Sequence, residues 1–77
     1  NEIMEIAGSV PGVNDIHELK TRRGGVSFSI GAHVVVEPDM SVVEAHDIAT
    51  NVEEALRIRF GNETQTSIHI EPDTAAR

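Results

Sequence analysis

The chain has 77 residues, which allows one small domain and a modest core. It carries no cysteine, so disulfides and thiolate metal sites are excluded. Thirteen acidic against six basic residues give a formal charge of −7, which argues against nucleic acid and anionic membrane surfaces and suits cations.

Asn1 to Ser9 reads as the last turns of a helix, with Ile3, Ile6 and Ala7 at helical spacing and Gly8 as the C-cap. The chain begins inside this helix without an initiator methionine, so an excised piece of a longer protein is expected. Val10-Pro11-Gly12 breaks the helix. Val13 to Thr21 reads as a first strand, and Arg22-Arg23-Gly24-Gly25 as a hairpin turn.

Val26 to Glu37 alternates over twelve residues. Val26, Phe28, Ile30, Ala32, Val34 and Val36 share one face, and Ser27, Ser29, Gly31, His33, Val35 and Glu37 the other. Ser41 and Glu44 form a capping box that opens a long helix to about Phe60. Its apolar stripe is Ala45, Ile48, Ala49, Val52, Ala55, Leu56 and Phe60, while Glu44, Glu53 and Glu54 read as a solvated face. Gly61-Asn62 ends the helix. Glu63 to Ile70 reads as the last strand, with Thr66, Ile68 and Ile70 on one face, and Asp73 to Arg77 as a frayed tail.

The order α-β-β-α-β with a right-handed crossover predicts an α+β open sandwich. Two helices lie on one face of a three-stranded sheet, ferredoxin-like but lacking the first strand. No apolar run is long enough to cross a membrane. No nucleophile is set beside a base in a closed pocket, so no enzyme is expected.

The four histidines carry the chemistry. By strand parity His17, His33, His69 and Glu71 all project from the face away from the helices, one strand apiece, where imidazole and carboxylate suit a divalent cation. His46, one residue off the apolar stripe of the long helix, reads by periodicity as a helix-surface histidine. With its helices on one face, the sheet leaves Val35 uncovered on the other. A small chain without disulfides is therefore expected to pair as a homodimer.

Pro11-Gly12-Val13, Ile16-His17-Glu18-Leu19-Lys20-Thr21-Arg22, Ala32-His33-Val34-Val35-Val36, Met40-Ser41-Val42-Val43-Glu44-Ala45-His46 and Ile68-His69-Ile70-Glu71-Pro72 together resemble the cytoplasmic C-terminal domain of cation diffusion facilitator transporters. The resemblance covers nearly the whole chain as a single domain, residues 1–77. It implies a metallochaperone-like fold that follows a transmembrane unit and pairs with a second copy. It also implies that His17, His33, His46 and His69 bind regulatory cations, with Glu71 standing where several members have aspartate. Zinc comes first among the cations, with iron and manganese as alternatives. The full-length protein would sit in the cell inner membrane or a magnetosome membrane, with this domain in the cytoplasm. Two other readings compete: a free-standing soluble metal-binding chaperone, and a structural dimerisation module with inert histidines.

Overall fold

A computed structural model of the chain describes residues 1–25 and 27–74. The element order is α1 (Glu2–Gly8), β1 (Asp15–Gly24), β2 (Ser27–Val36), α2 (Val42–Phe60) and β3 (Gln65–Pro72), as the sequence predicts. The expected position of Val26 and most of the expected tail lie outside the described residues. The strand ends differ by a few residues from the sequence reading. β1 runs on to Gly24, which shortens the hairpin turn, and β3 starts and ends later than predicted.

The helix ends follow from local chemistry. Asn1 caps α1: its side-chain oxygen accepts from the backbone N–H of Ile3 at 2.8 Å and of Met4 at 3.3 Å. The helix closes at Ser9, one residue beyond Gly8. The capping box at the head of α2 is present in full. Ser41 Oγ accepts from the Glu44 N–H, and the Ser41 N–H donates to the Glu44 carboxylate. Gly61 caps the other end at φ +110, with its N–H bonded to the Arg57 carbonyl.

β2 is the central strand of the sheet, antiparallel to β1 and parallel to β3. Both helices pack on one face. Ile3, Ala7, Ile48, Val52 and Leu56 from the helices meet Ile16, Ile30, Ala32, Val34 and Val36 from the sheet. These are the inward positions of the alternating pattern, so periodicity placed the core correctly. Gly12, at φ +96, lets the α1–β1 turn lie against α2. A Cβ there would stand 2.5 Å from Ile48 Cδ1, so both backbone and packing call for glycine.

Two assignments need correction. Glu53 is half-buried and accepts a hydrogen bond from Thr66 Oγ1 at 2.9 Å, while Arg57 donates to the same hydroxyl; it ties α2 to β3 and is not part of a solvated face. Val35 lies on the outward face as expected but is only 5% exposed. Its register partners are Asp15 and Glu71, whose side chains are drawn together over the strand through His17. An uncovered Val35 therefore gives no reason for pairing. The large apolar side chains left in solvent are elsewhere, on α2 above all: Val42 is 86% exposed, Val43 70% and Ile58 79%.

Candidate metal centre

The strand register puts three histidines in one row. His17 stands opposite His33, and His33 opposite His69, so the row runs straight across β1, β2 and β3. The His33 and His69 rings stack with centroids 5.2 Å apart. Glu71 lies two residues beyond His69 on the same face and divides its carboxylate between the other two rings. Oε1 is 3.2 Å from His17 Nδ1, and Oε2 is 3.1 Å from His33 Nδ1. The parity argument thus brings His17, His33, His69 and Glu71 together.

Two carboxylates join them that the sequence reading did not single out. Asp15 Oδ2 is 3.0 Å from His17 Nε2. Asp15 shares the parity of His17, so the same alternation could have found it. Glu18 Oε2 is 3.6 Å from His33 Nδ1. It reaches this face through a bulge: the register steps three residues on β1, from His17 to Lys20, against two on β2, and Glu18 has φ +51. Simple alternation assigns Glu18 to the inward face. The bulge also turns Leu19 in against the core.

His46 is not brought to this row within one chain. It lies exposed near the start of α2, on the helical side of the sheet. Val42 and Val43 precede it by four and three residues, so one exposed helix face carries all three.

The donor set is imidazole nitrogen and carboxylate oxygen, which fits zinc and neighbouring divalent ions. Two donors bonded to one tetrahedral ion at about 2.1 Å would stand about 3.4 Å apart, close to the separations from Glu71 to the two rings. Even so, among the described residues no three such groups already surround a common point. Glu71 presents a different oxygen to each ring, so the groups bond to one another in pairs. An ion would replace these hydrogen bonds, and the side chains would turn to meet it.

The network shifts its own titrations. The hydrogen bond that His17 donates to the Asp15 carboxylate holds the His17 pKa above its ordinary 6.5, with Glu71 adding to it against partial desolvation. The His33 bond lowers Glu71 below 4.5, with His17 contributing. The Ile16 backbone N–H, followed by His17, lowers Asp15 below 3.8. The sign of the linkage follows. His17 contributes stability that is complete below pH 6.5 and is lost as pH rises through its raised folded value. Asp15 and Glu71 contribute stability that is complete above about 4.5 and is lost as pH falls through their lowered values. The metal-free chain is thus expected to be most stable between about pH 4.5 and 6.5. These groups are exposed, so the effect is small. Urea unfolding across pH checks it: His17→Ala should flatten the alkaline side, and an unchanged slope would contradict the pairing.

The profile of the family described as "Cation efflux protein, cytoplasmic domain" matches residues 1–73. The cation-efflux pump FieF of Citrobacter koseri is 39% identical over 71 residues, covering 92% of this chain and 23% of the pump. The FieF of Escherichia coli O127:H6 is 38% identical over the same length. The chain therefore spans about a quarter of the length of the curated relatives it matches. Among solved structures, the MamM CTD is similar at TM-score 0.85 and 27% identity, covering 94% of this chain and 90% of that one. A nickel form of a MamM CTD variant, in which histidine replaces a glutamate, matches at TM-score 0.85 and 26% identity, covering 94% of this chain and 91% of that one. A copper form of another variant, in which histidine replaces an aspartate, matches at TM-score 0.84 and 27% identity, with 94% and 90% covered.

Proposed function

The chain belongs to the cation efflux protein cytoplasmic-domain family, which is not an enzyme class, and from that membership we propose that it is the cation-sensing, dimerising cytoplasmic part of a membrane efflux transporter. Its role is to bind divalent ions, zinc first, with iron or manganese as alternatives, and so to stabilise a closed pair of domains. Residues 1–77 form one domain of that transporter, attached to a membrane-spanning unit. The observation that carries the reading is the in-register row of His17, His33 and His69 with Glu71 bonded to two of the rings. The nickel and copper forms of histidine-substituted variants of MamM CTD, a domain of the same fold, support it. A cation acts on such a pair only through its differential affinity for the closed arrangement.

Within this reading Val42, Val43 and His46 have a common use. Two exposed valines on one helix face need burial, and His46 lies between them in projection. Docking that face against a second copy would bury the valines and bring His46 to the partner's histidine row, completing the ligand set His17, His33, His46, His69 and Glu71. His46→Ala is then expected to weaken zinc binding at least tenfold, about 1.4 kcal/mol, and to reduce the zinc-induced shift toward dimer. Light scattering and calorimetry on wild type and variant check this. A monomer mass with and without zinc would refute the pairing, and unchanged affinity would confine the site to the sheet.

A structural dimerisation module is the reading favoured by the way the donors already satisfy one another. It predicts the same dimer and no heat with zinc, so the two experiments together separate it from cation sensing.

A further inference from the structure

The outward face of the sheet is a grid of rows, and its two ends differ in charge. Toward β3's C-terminal end lie the histidine row and, next to it, Asp15, Val35 and Glu71. The opposite end has two rows of another kind: Lys20, Gly31 and Ser67, then Arg22, Ser29 and Gln65. These six residues line a groove of about 570 Å³. Its shape comes from the sequence. Long side chains stand on the β1 side, serines and an amide fill the rest, and Gly31 leaves the middle of the floor bare.

Both cations of this groove are unpaired among the described residues. Five basic residues lie in the described part of the chain. Arg59 pairs with Glu2, Arg57 donates to Thr66, and Arg23 lies over the Phe28 ring. Lys20 and Arg22 have no ion-pair or hydrogen-bond partner among the described residues, although the chain holds 13 carboxylates. They are two residues apart on one face of β1, about 6.8 Å along the strand. Two like charges at that spacing repel unless an anion lies between them. Opposite them, Ser29 donates to Gln65 Oε1 at 3.3 Å, which leaves both N–H donors of the Gln65 amide unused.

We propose that this groove binds a soluble, phosphate-bearing small molecule. The planar guanidinium of Arg22 and the point charge of Lys20 are complementary to a tetrahedral oxyanion. The Gln65 amide N–H groups supply neutral donors to its remaining oxygens, with the Ser29 hydroxyl holding that amide in place. The groove is of ordinary ligand size, larger than a bare phosphate, so the phosphate would carry a polar body. A lipid headgroup in a membrane is the less suited source, because a chain of charge −7 is repelled by an anionic surface as a whole.

The test is a titration of the metal-free, nitrogen-15-labelled chain with inorganic phosphate, with chloride at matched ionic strength as the reference. Phosphatidic acid vesicles form a separate arm. Saturable amide shifts are expected at Lys20, Arg22, Ser29, Gly31 and Ser67, with no comparable shifts in chloride. Arg22→Gln should weaken the affinity at least tenfold. Gly31→Val tests shape without charge: a Cβ at Gly31 meets only Ser67 at 3.7–4.0 Å, so the fold is retained while the groove is filled. A well-dispersed spectrum with phosphate binding lost is the expected result for that variant. Unmoved amides, Arg22→Gln binding like wild type, or binding to vesicles alone would overturn the proposal. Lys20, Gly31 and Ser67 also border His33 and His69, so the Arg22 and Ser29 amides, two rows from the histidines, and Arg22→Gln separate this site from the histidine row.

Discussion

Replacing His33 with alanine is expected to weaken zinc binding at least 100-fold, about 2.7 kcal/mol, and to leave the fold intact. His33 is the middle of the row, the register partner of both His17 and His69. It also faces the carboxylates of Glu71 and Glu18. Of the three histidines in the row it alone has another histidine on each side. Its side chain is 34% exposed, so truncation opens no closed cavity. Calorimetry reads the affinity, and a thermal melt without metal controls for folding. Loss of binding with an unchanged melt is the expected pair of results. Binding that survives at wild-type strength would remove the sheet face as the site.

Leu56→Ala is expected to cost about 2–5 kcal/mol, far more than truncation of an exposed side chain on the same helix. Leu56 is 1% exposed, in the last turns of α2, and belongs to the cluster that joins both helices to the sheet. A chain of this length holds only about 4–12 kcal/mol in total. The melting temperature should therefore fall by about 10 °C or more, and part of the population should unfold at room temperature. Ile58, two residues on, is 79% exposed and serves as the control. Ile58→Ala should change stability by less than about 0.5 kcal/mol. Equal effects at the two positions would contradict the assigned face of α2.

The core was legible because burial imposes a period. Ile30, Ala32, Val34 and Val36 alternate with polar residues, and Ile48, Val52 and Leu56 recur every four, so faces could be assigned without coordinates. The same parity found His17, His33, His69 and Glu71, because each lies on a regular stretch of strand. It failed where the strand is irregular. Between His17 and Lys20 the bulge puts Glu18 within reach of His33, and no alternation rule anticipates an extra residue at a positive φ. Val35 was placed on the right face but given the wrong exposure, since parity gives direction and not what neighbouring side chains do. The covering follows from register, with Asp15 and Glu71 on either side, and register depends on pairing across strands. His46 marks the limit of both sequence and single chain: one chain leaves it exposed beside Val42 and Val43, and a use for it needs a second surface.

The central claim is that one cation site draws on the three strands at once. Imidazole nitrogen resonances of the labelled chain, followed during a zinc titration near pH 7, test this most directly. At that pH protons compete with the ion for the imidazole nitrogens, above all at His17, whose proton is held more tightly than usual. A single shared site predicts that the resonances of His17, His33 and His69 shift together and saturate at the same zinc equivalence. Zinc that binds while these three imidazoles stay unmoved, or that shifts only one of them, would contradict it.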